Sequence, residues 1–129
     1  MTEGTVLRQH YHVSPAVFEG FRDVFRDLNP MHTDEAFARS HGFRGRVMYG
    51  NILNGFLSHF VGECLPQKNV VIQTQSIQYA RPVFLDDKLE LVAEVSGFFE
   101  SVNAVEFKYY FQNEQGEKVA RGKLQIGIL

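Results

Sequence analysis

The sequence predicts an α+β fold in which one long apolar helix lies against a curved antiparallel sheet. Three observations carry this. From about Asn69 onward the chain reads as strand after strand with period-two alternation. Turn-forming clusters separate those strands, so successive hairpins give an antiparallel sheet with one dry and one wetter face. The stretch Tyr49 to Leu65 is apolar around most of a helical circumference, and no other element is apolar enough to cover the dry face.

The elements follow in order. Val6 to His12 forms a short opening strand. Ser14-Pro15 reads as an N-cap followed by proline at the first helical position, where its missing N–H costs nothing. Val17, Phe18, Phe21, Val24 and Phe25 then recur at helical spacing and are expected to face the core. That helix must end by Asn29, because Pro30 biases its predecessor out of the helical region. Thr33 can cap a second short helix with Asp34 and Glu35 in its first turn, and Gly42 can stop it. In the long helix, Ile52, Leu53, Phe56, Leu57, Phe60, Val61 and Cys64 predict burial on most sides. Gly50, Gly55, Ser58 and Gly62 are small enough to admit another backbone.

Val70 to Arg81 is the first later strand, broken or bent at Pro82. Leu89, Leu91, Ala93 and Val95 alternate with polar or outward residues. So do Val105, Phe107, Tyr109 and Phe111, and then Ala120, Gly122, Leu124, Ile126 and Ile128. Asp86-Asp87 and Asn113 to Gly116 supply turns.

Length and composition bound the function. At 129 residues, with 44% apolar and 22% charged residues, the chain suits one domain spanning 1–129. Thirteen basic against fifteen acidic side chains argue against nucleic acid as a partner. No apolar run approaches the ~20 residues of a membrane span, and the N-terminus lacks an apolar signal region. A soluble cytoplasmic protein is expected. Cys64 is the only cysteine, and no histidine pair among His10, His12, His41 and His59 has ligand spacing, so no metal is expected.

The chemistry-bearing stretch is Asp27-Leu28-Asn29-Pro30-Met31-His32. On a helix, residues five apart point in different directions, but Pro30 favours a turn that can bring Asp27 and His32 together. A carboxylate and an imidazole sharing one water can activate it and move protons near neutral pH. Two readings fit: an acid–base pair, or an Asp27 that caps the turn beside a His32 that only packs. Arg22, Arg26, Arg39, Arg44 and Arg46 cluster in the same half, facing Asp23, Asp27, Asp34 and Glu35. They can meet phosphates or an acidic protein surface, or form an ordinary solvated face.

The run Asp27-x-Asn29-Pro30-x-His32-x-Asp34, followed by Ala36-Phe37-Ala38, resembles the hydratase signature of MaoC-like proteins. Gly42-Phe43, Gly50 and Ser58, then Tyr79, Pro82, Val83 and Asp86, continue the resemblance, which runs from Phe25 onward. It implies a hot-dog fold and reversible syn hydration of a trans-2-enoyl thioester to the (R)-3-hydroxyacyl thioester. Asp27 and His32 match the catalytic pair, with Asn29 between them. Gly50 matches the residue whose N–H meets the thioester oxygen, and Ser58 a serine that supports the site. No cofactor is implied beyond coenzyme A or phosphopantetheine carried as part of the substrate.

This chain departs from the family at two places. Arg26 stands where a glycine usually precedes the aspartate, and Tyr49-Gly50-Asn51 where His-Gly-Met is common. Both sit beside the implied substrate and bear on acyl specificity.

The physics of Gly50 agrees with its implied role. A helix N-terminus offers unpaired N–H groups and partial positive charge to an enolate-like oxygen. Gly50 can equally relieve crowding where helix meets sheet, and Ser58 can bond back to a carbonyl one turn earlier. Tyr49 can wall the pocket, donate a hydrogen bond, or simply pack, the last being the default.

Phe56, Leu57 and Phe60 are bulky enough to restrict the acyl group to short or medium length. An exposed sheet edge predicts a homodimer. Two rivals share the fold. An acyl thioesterase would need a carboxylate on the long helix, which offers only Glu63. A non-catalytic acyl-binding subunit would bind without turnover.

Overall fold

The computed structural model describes all 129 residues. β1 (Val6–His12) leads into α1 (Pro15–Phe25), the one-turn α2 (Pro30–Thr33) and α3 (Glu35–Ser40). The long helix is α4 (Asn51–His59), which runs on as a π-helical turn over Phe60–Cys64. Then come β2 (Val70–Gln75), β3 (Gln78–Tyr79), β4 (Lys88–Phe99), β5 (Ala104–Gln112) and β6 (Lys118–Ile128). All pairings are antiparallel, in the order β1-β4-β5-β6-β2, with β3 also alongside β6.

Period-two alternation places the core as expected. Leu89, Leu91, Ala93 and Val95 on β4, Val105, Phe107, Tyr109 and Phe111 on β5, and Leu124 and Ile126 on β6 are all buried. They meet Ile52, Leu53, Phe56 and Leu57 of α4. The hairpin ends are held by side chains: Asn113 Oδ1 accepts from the Gln115 and Glu117 N–H groups, and Asp87 Oδ2 from Phe84 N–H.

The π turn has a cause in the sequence. Buried pairs recur every four residues, at Ile52/Leu53, Phe56/Leu57 and Phe60/Val61, and Leu65 continues the series. An α-helix turns every ~3.6 residues, so a strict four-residue repeat drifts around it. The wider π turn takes up that drift and keeps Phe60, Val61 and Leu65 on the sheet.

Four expectations are corrected. The long helix is not buried on most sides: Asn51, Gly55, Ser58, Gly62 and Glu63 form an exposed face, and no other part of the chain approaches Gly55 or Gly62. α1 does end before Asn29 as expected, at Phe25, because Arg26 takes the left-handed conformation (φ 61°) and its N–H donates to Arg22 O. Its apolar face is only partly in the core: Phe18 is fully buried and Val17 and Phe21 pack against the core, but Val24 is 71% and Phe25 67% exposed. Asp34 rather than Thr33 caps α3, accepting from Phe37 N–H, since Thr33 is consumed in α2.

The expected strand Val70–Arg81 is two strands. The Tyr109 hydroxyl donates to Ser76 O at 2.6 Å, and Gly122 lies so close that a Cβ there would overlap the Ser76 carbonyl. That contact bends the chain between β2 and β3.

Candidate active site

Asp27 leaves α1 through the left-handed Arg26 and enters a turn shaped by Asn29-Pro30. Its two carboxylate oxygens have separate surroundings. Oδ1 accepts from Asn29 N–H at 3.1 Å, while Oδ2 faces His32 Nε2 at 3.9 Å. Oδ1 therefore caps the turn, while Oδ2 is left to face the imidazole. Asn29, extended before its proline, caps α2 by accepting from Met31 N–H through Oδ1.

His32 is oriented by its other nitrogen. Nδ1 lies 2.7 Å from Val47 O, a distance at which Nδ1–H donates, and Val47 N–H in turn donates to Met31 O at 3.0 Å. Nε2, the nitrogen that faces Asp27, is left free of the backbone. At 3.9 Å the pair is too far apart for a direct hydrogen bond and suitably spaced to grip one oxygen between them. His32 is 18% and Asp27 49% exposed, so the imidazole is fixed and the carboxylate reachable.

Tyr49 is buried in the core rather than walling a pocket, and it donates a hydrogen bond. Its ring lies 4.2 Å from the His32 ring and 4.8 Å from that of Phe21, and its hydroxyl donates to Asp27 O at 2.8 Å. Burial raises its pKa, so the donor keeps its proton across the neutral range.

Gly50 caps α4, and its N–H donates to no backbone acceptor. A Cβ there would come within 3.0 Å of the Tyr79 ring, so crowding relief is real as well. Gly50 lines a cleft of about 350 Å³ with Phe43, Val47, Tyr79 and Pro82. On the other side, Asp27 lines an open groove of about 850 Å³ between α1 and α4, with Phe21, Phe25, Ile52, Asn54 and Phe56.

Asp27, His32 and Tyr49 are thus gathered at one place, with Asn29 as the turn's brace, while Gly50, next to Tyr49 in the chain, opens on a separate cleft. Ser58 is not among them: it lies two turns further along α4, exposed and without a side-chain hydrogen bond, about 12 Å from Gly50 at a helical rise of ~1.5 Å per residue.

Four of the five clustered arginines are engaged. Arg22 and Arg46 pair with Glu19, Arg39 with Glu35 and Arg44 with Asp87, leaving Arg26 without an ion pair. Glu19 and Asp87 lie outside the sequence window in which the cluster stood out. Sequence reasoning also missed Val47, whose contribution is a backbone carbonyl and leaves no side-chain signal.

A helix with one face buried against an antiparallel sheet, and a carboxylate–imidazole pair near its N-terminus, define a hot-dog protein. The chain belongs to the MaoC-like family: the MaoC like domain matches residues 2–114. It is 32% identical over 80 residues to the (R)-specific enoyl-CoA hydratase of Aeromonas caviae, covering 62% of this chain and 60% of that protein. It is 31% identical over 84 residues to the 3-hydroxybutyryl-CoA dehydratase of Methylorubrum extorquens, covering 65% and 54%. It is also 26% identical over 106 residues to a mitochondrial 3-hydroxyacyl-[acyl-carrier-protein] dehydratase of Arabidopsis thaliana, covering 82% and 63%. The match thus spans less than two thirds of each of these relatives. Among solved structures, the Aeromonas caviae (R)-hydratase superposes with a TM-score of 0.92 at 24% identity, covering 100% of this chain and 98% of that one. No helix is long and apolar enough to cross a membrane.

Proposed function

We propose that this chain catalyses the reversible syn addition of water to a trans-2-enoyl thioester, giving the (R)-3-hydroxyacyl thioester. The observation that carries this is the Asp27 Oδ2–His32 Nε2 pair, 3.9 Å apart, with Asp27 lining an apolar groove. In hydration, the Asp27 carboxylate takes a proton from water as the water oxygen bonds to C3. The C2=C3 electron pair moves toward the thioester carbonyl, and His32 Nε2–H delivers a proton to C2. A proton passing from Asp27 to His32 resets the pair. Dehydration runs the same steps backward. The Gly50 N–H, at the positive end of α4, stabilises the enolate-like oxygen by about 3 kcal/mol.

The carrier is coenzyme A or an acyl carrier protein, both of which appear in the names of relatives. No cofactor beyond that carrier enters the steps above. Phe56 lines the groove and restricts it to short or medium acyl groups, whereas Leu57 and Phe60 are core residues. The protein works in the cytoplasm as a homodimer; support for the dimer comes from the free edge of β2, with Val71 and Ile72 exposed. The thioesterase reading gains nothing, since Glu63 lies at the far end of the helix, exposed and 3.9 Å from Lys68.

The test is hydration of crotonyl thioesters on both carriers by wild type, Asp27→Asn and His32→Ala. Each substitution should lower turnover at least roughly a hundredfold. The double variant should be little worse than the worse single one, because both groups act on one water. Folded single variants with near wild-type rates would sink the assignment. Ligand bound and recovered unchanged by wild type would instead favour the non-catalytic acyl-binding reading.

A further inference from the structure

The groove beside Asp27 is apolar except along one wall. Asn51 and Asn54 of α4 line it, facing Val17, Phe21, Val24 and Phe25 of α1. These two amides are not independent. Gln75 on β2 donates through Nε2 to Asn54 Oδ1 at 2.5 Å, and Asn54 donates through Nδ2 to Asn51 Oδ1 at 2.8 Å. The chain of amides starts on the sheet edge and ends in the groove, one residue past Gly50.

A primary amide carries two N–H donors and one carbonyl acceptor. In this chain the Asn51 carbonyl is occupied, and both of its N–H groups lack a partner within the protein. Reversing all three amides would still leave Asn51 one free N–H. The donor is held in place by a neighbour that is itself held, so ordering it on binding costs little. An acyl chain that is hydrocarbon throughout would leave these donors desolvated and unpaired, at a cost.

On the hydration reading above, we infer that the Gln75–Asn54–Asn51 chain selects acyl groups carrying a neutral hydrogen-bond acceptor beyond C3, such as an ether, hydroxyl or ketone oxygen. A carboxylate there is disfavoured, because Asp27 already places a negative charge in the same groove. Asn51 is then a specificity residue, and Asn54 and Gln75 position it.

The test compares hydration of 2-octenoyl-CoA with three analogues in which an ether oxygen replaces the methylene at C5, C6 or C7. These match the parent in length and shape. With wild type, at least one analogue should exceed the parent in kcat/KM by about threefold to tenfold, the worth of one hydrogen bond. Asn51→Leu should bring that ratio to one or below, which cancels any intrinsic difference in reactivity. Asn51→Asp keeps the shape, replaces the donors with acceptors and should abolish the preference too, so the inference remains testable if the leucine variant folds poorly. Asn54→Leu should give a partial loss. A wild-type ratio below one for every analogue overturns the inference and leaves the hydratase reading standing. Equal loss on all four substrates in Asn51→Leu also overturns it, because the amides are then only a brace between α4 and β2. Failure of wild type to hydrate any enoyl thioester, crotonyl included, overturns both.

Discussion

Tyr49 touches both Asp27 and His32: its hydroxyl donates to the Asp27 carbonyl at 2.8 Å, and its ring packs 4.2 Å from that of His32. One side chain buried in the core therefore sets the distance across which the two groups face each other. Tyr49→Phe keeps the ring contacts and removes the hydrogen bond. We predict a stability loss of about 1 kcal/mol and a fall in kcat of roughly tenfold or more, because small misplacements of catalytic groups are costly. Paired thermal melts and steady-state assays check this; an unchanged kcat would show that the turn holds Asp27 without Tyr49.

Arg26 stands in the left-handed conformation with no ion pair. For a residue with a Cβ this conformation costs roughly 1–2 kcal/mol, while glycine loses roughly 0.5–1 kcal/mol through its freer unfolded chain. The first effect is larger. Arg26→Gly should therefore stabilise the fold by about 0.5–1 kcal/mol, raising Tm by a few degrees. A lower Tm would mean that the guanidinium contributes a contact the backbone geometry does not reveal.

Gly122→Ala is predicted to be severely destabilising, because the added methyl would meet the Ser76 carbonyl and the Tyr109 hydroxyl. Relieving that overlap means breaking the Tyr109–Ser76 bond or unbending the β2–β3 junction. Losses of about 3 kcal/mol or more, or insoluble protein, are expected. A melt within a degree of wild type would contradict the account of the bend.

The strands were legible from sequence because sheet burial follows a period of two, and Leu89, Leu91, Ala93 and Val95 sit where that period puts them. The Asp27–His32 turn was legible because Pro30 acts locally. Four features were not. The end of α1 turns on a left-handed arginine, whereas glycine is the residue that ordinarily marks such a stop. Val24 and Phe25 kept helical spacing yet lie on an exposed face, since periodicity shows which residues share a face and not what covers it. The break at Ser76 and the Tyr49–Asp27 bond depend on partners 33 and 22 residues away, beyond the reach of local pattern.

A pH dependence follows from the tyrosines. Burial raises the phenols of Tyr11, Tyr49 and Tyr109 above their ordinary pKa of 10.0. In the fold they stay neutral where the unfolded chain would ionise. Their contribution is therefore fully present below about pH 10 and is lost as pH rises above it. Urea midpoints should be insensitive to these residues near pH 8 and fall above about pH 10. Tyr109→Phe should make that fall shallower, and an equally steep fall in the variant would count against burial as the cause.

The π turn at Phe60–Cys64 has a consequence for how this helix can vary. Removing one residue there would leave the helix almost as long but rewind it, turning every later position by about 100°. Val61 and Leu65 would swing off the sheet, and the charge of Glu63 would swing toward it. Length in this segment is therefore as constrained as composition. Insertions and deletions belong instead at the hairpin tips around Asn103 and Gly116, where an extra residue displaces nothing buried.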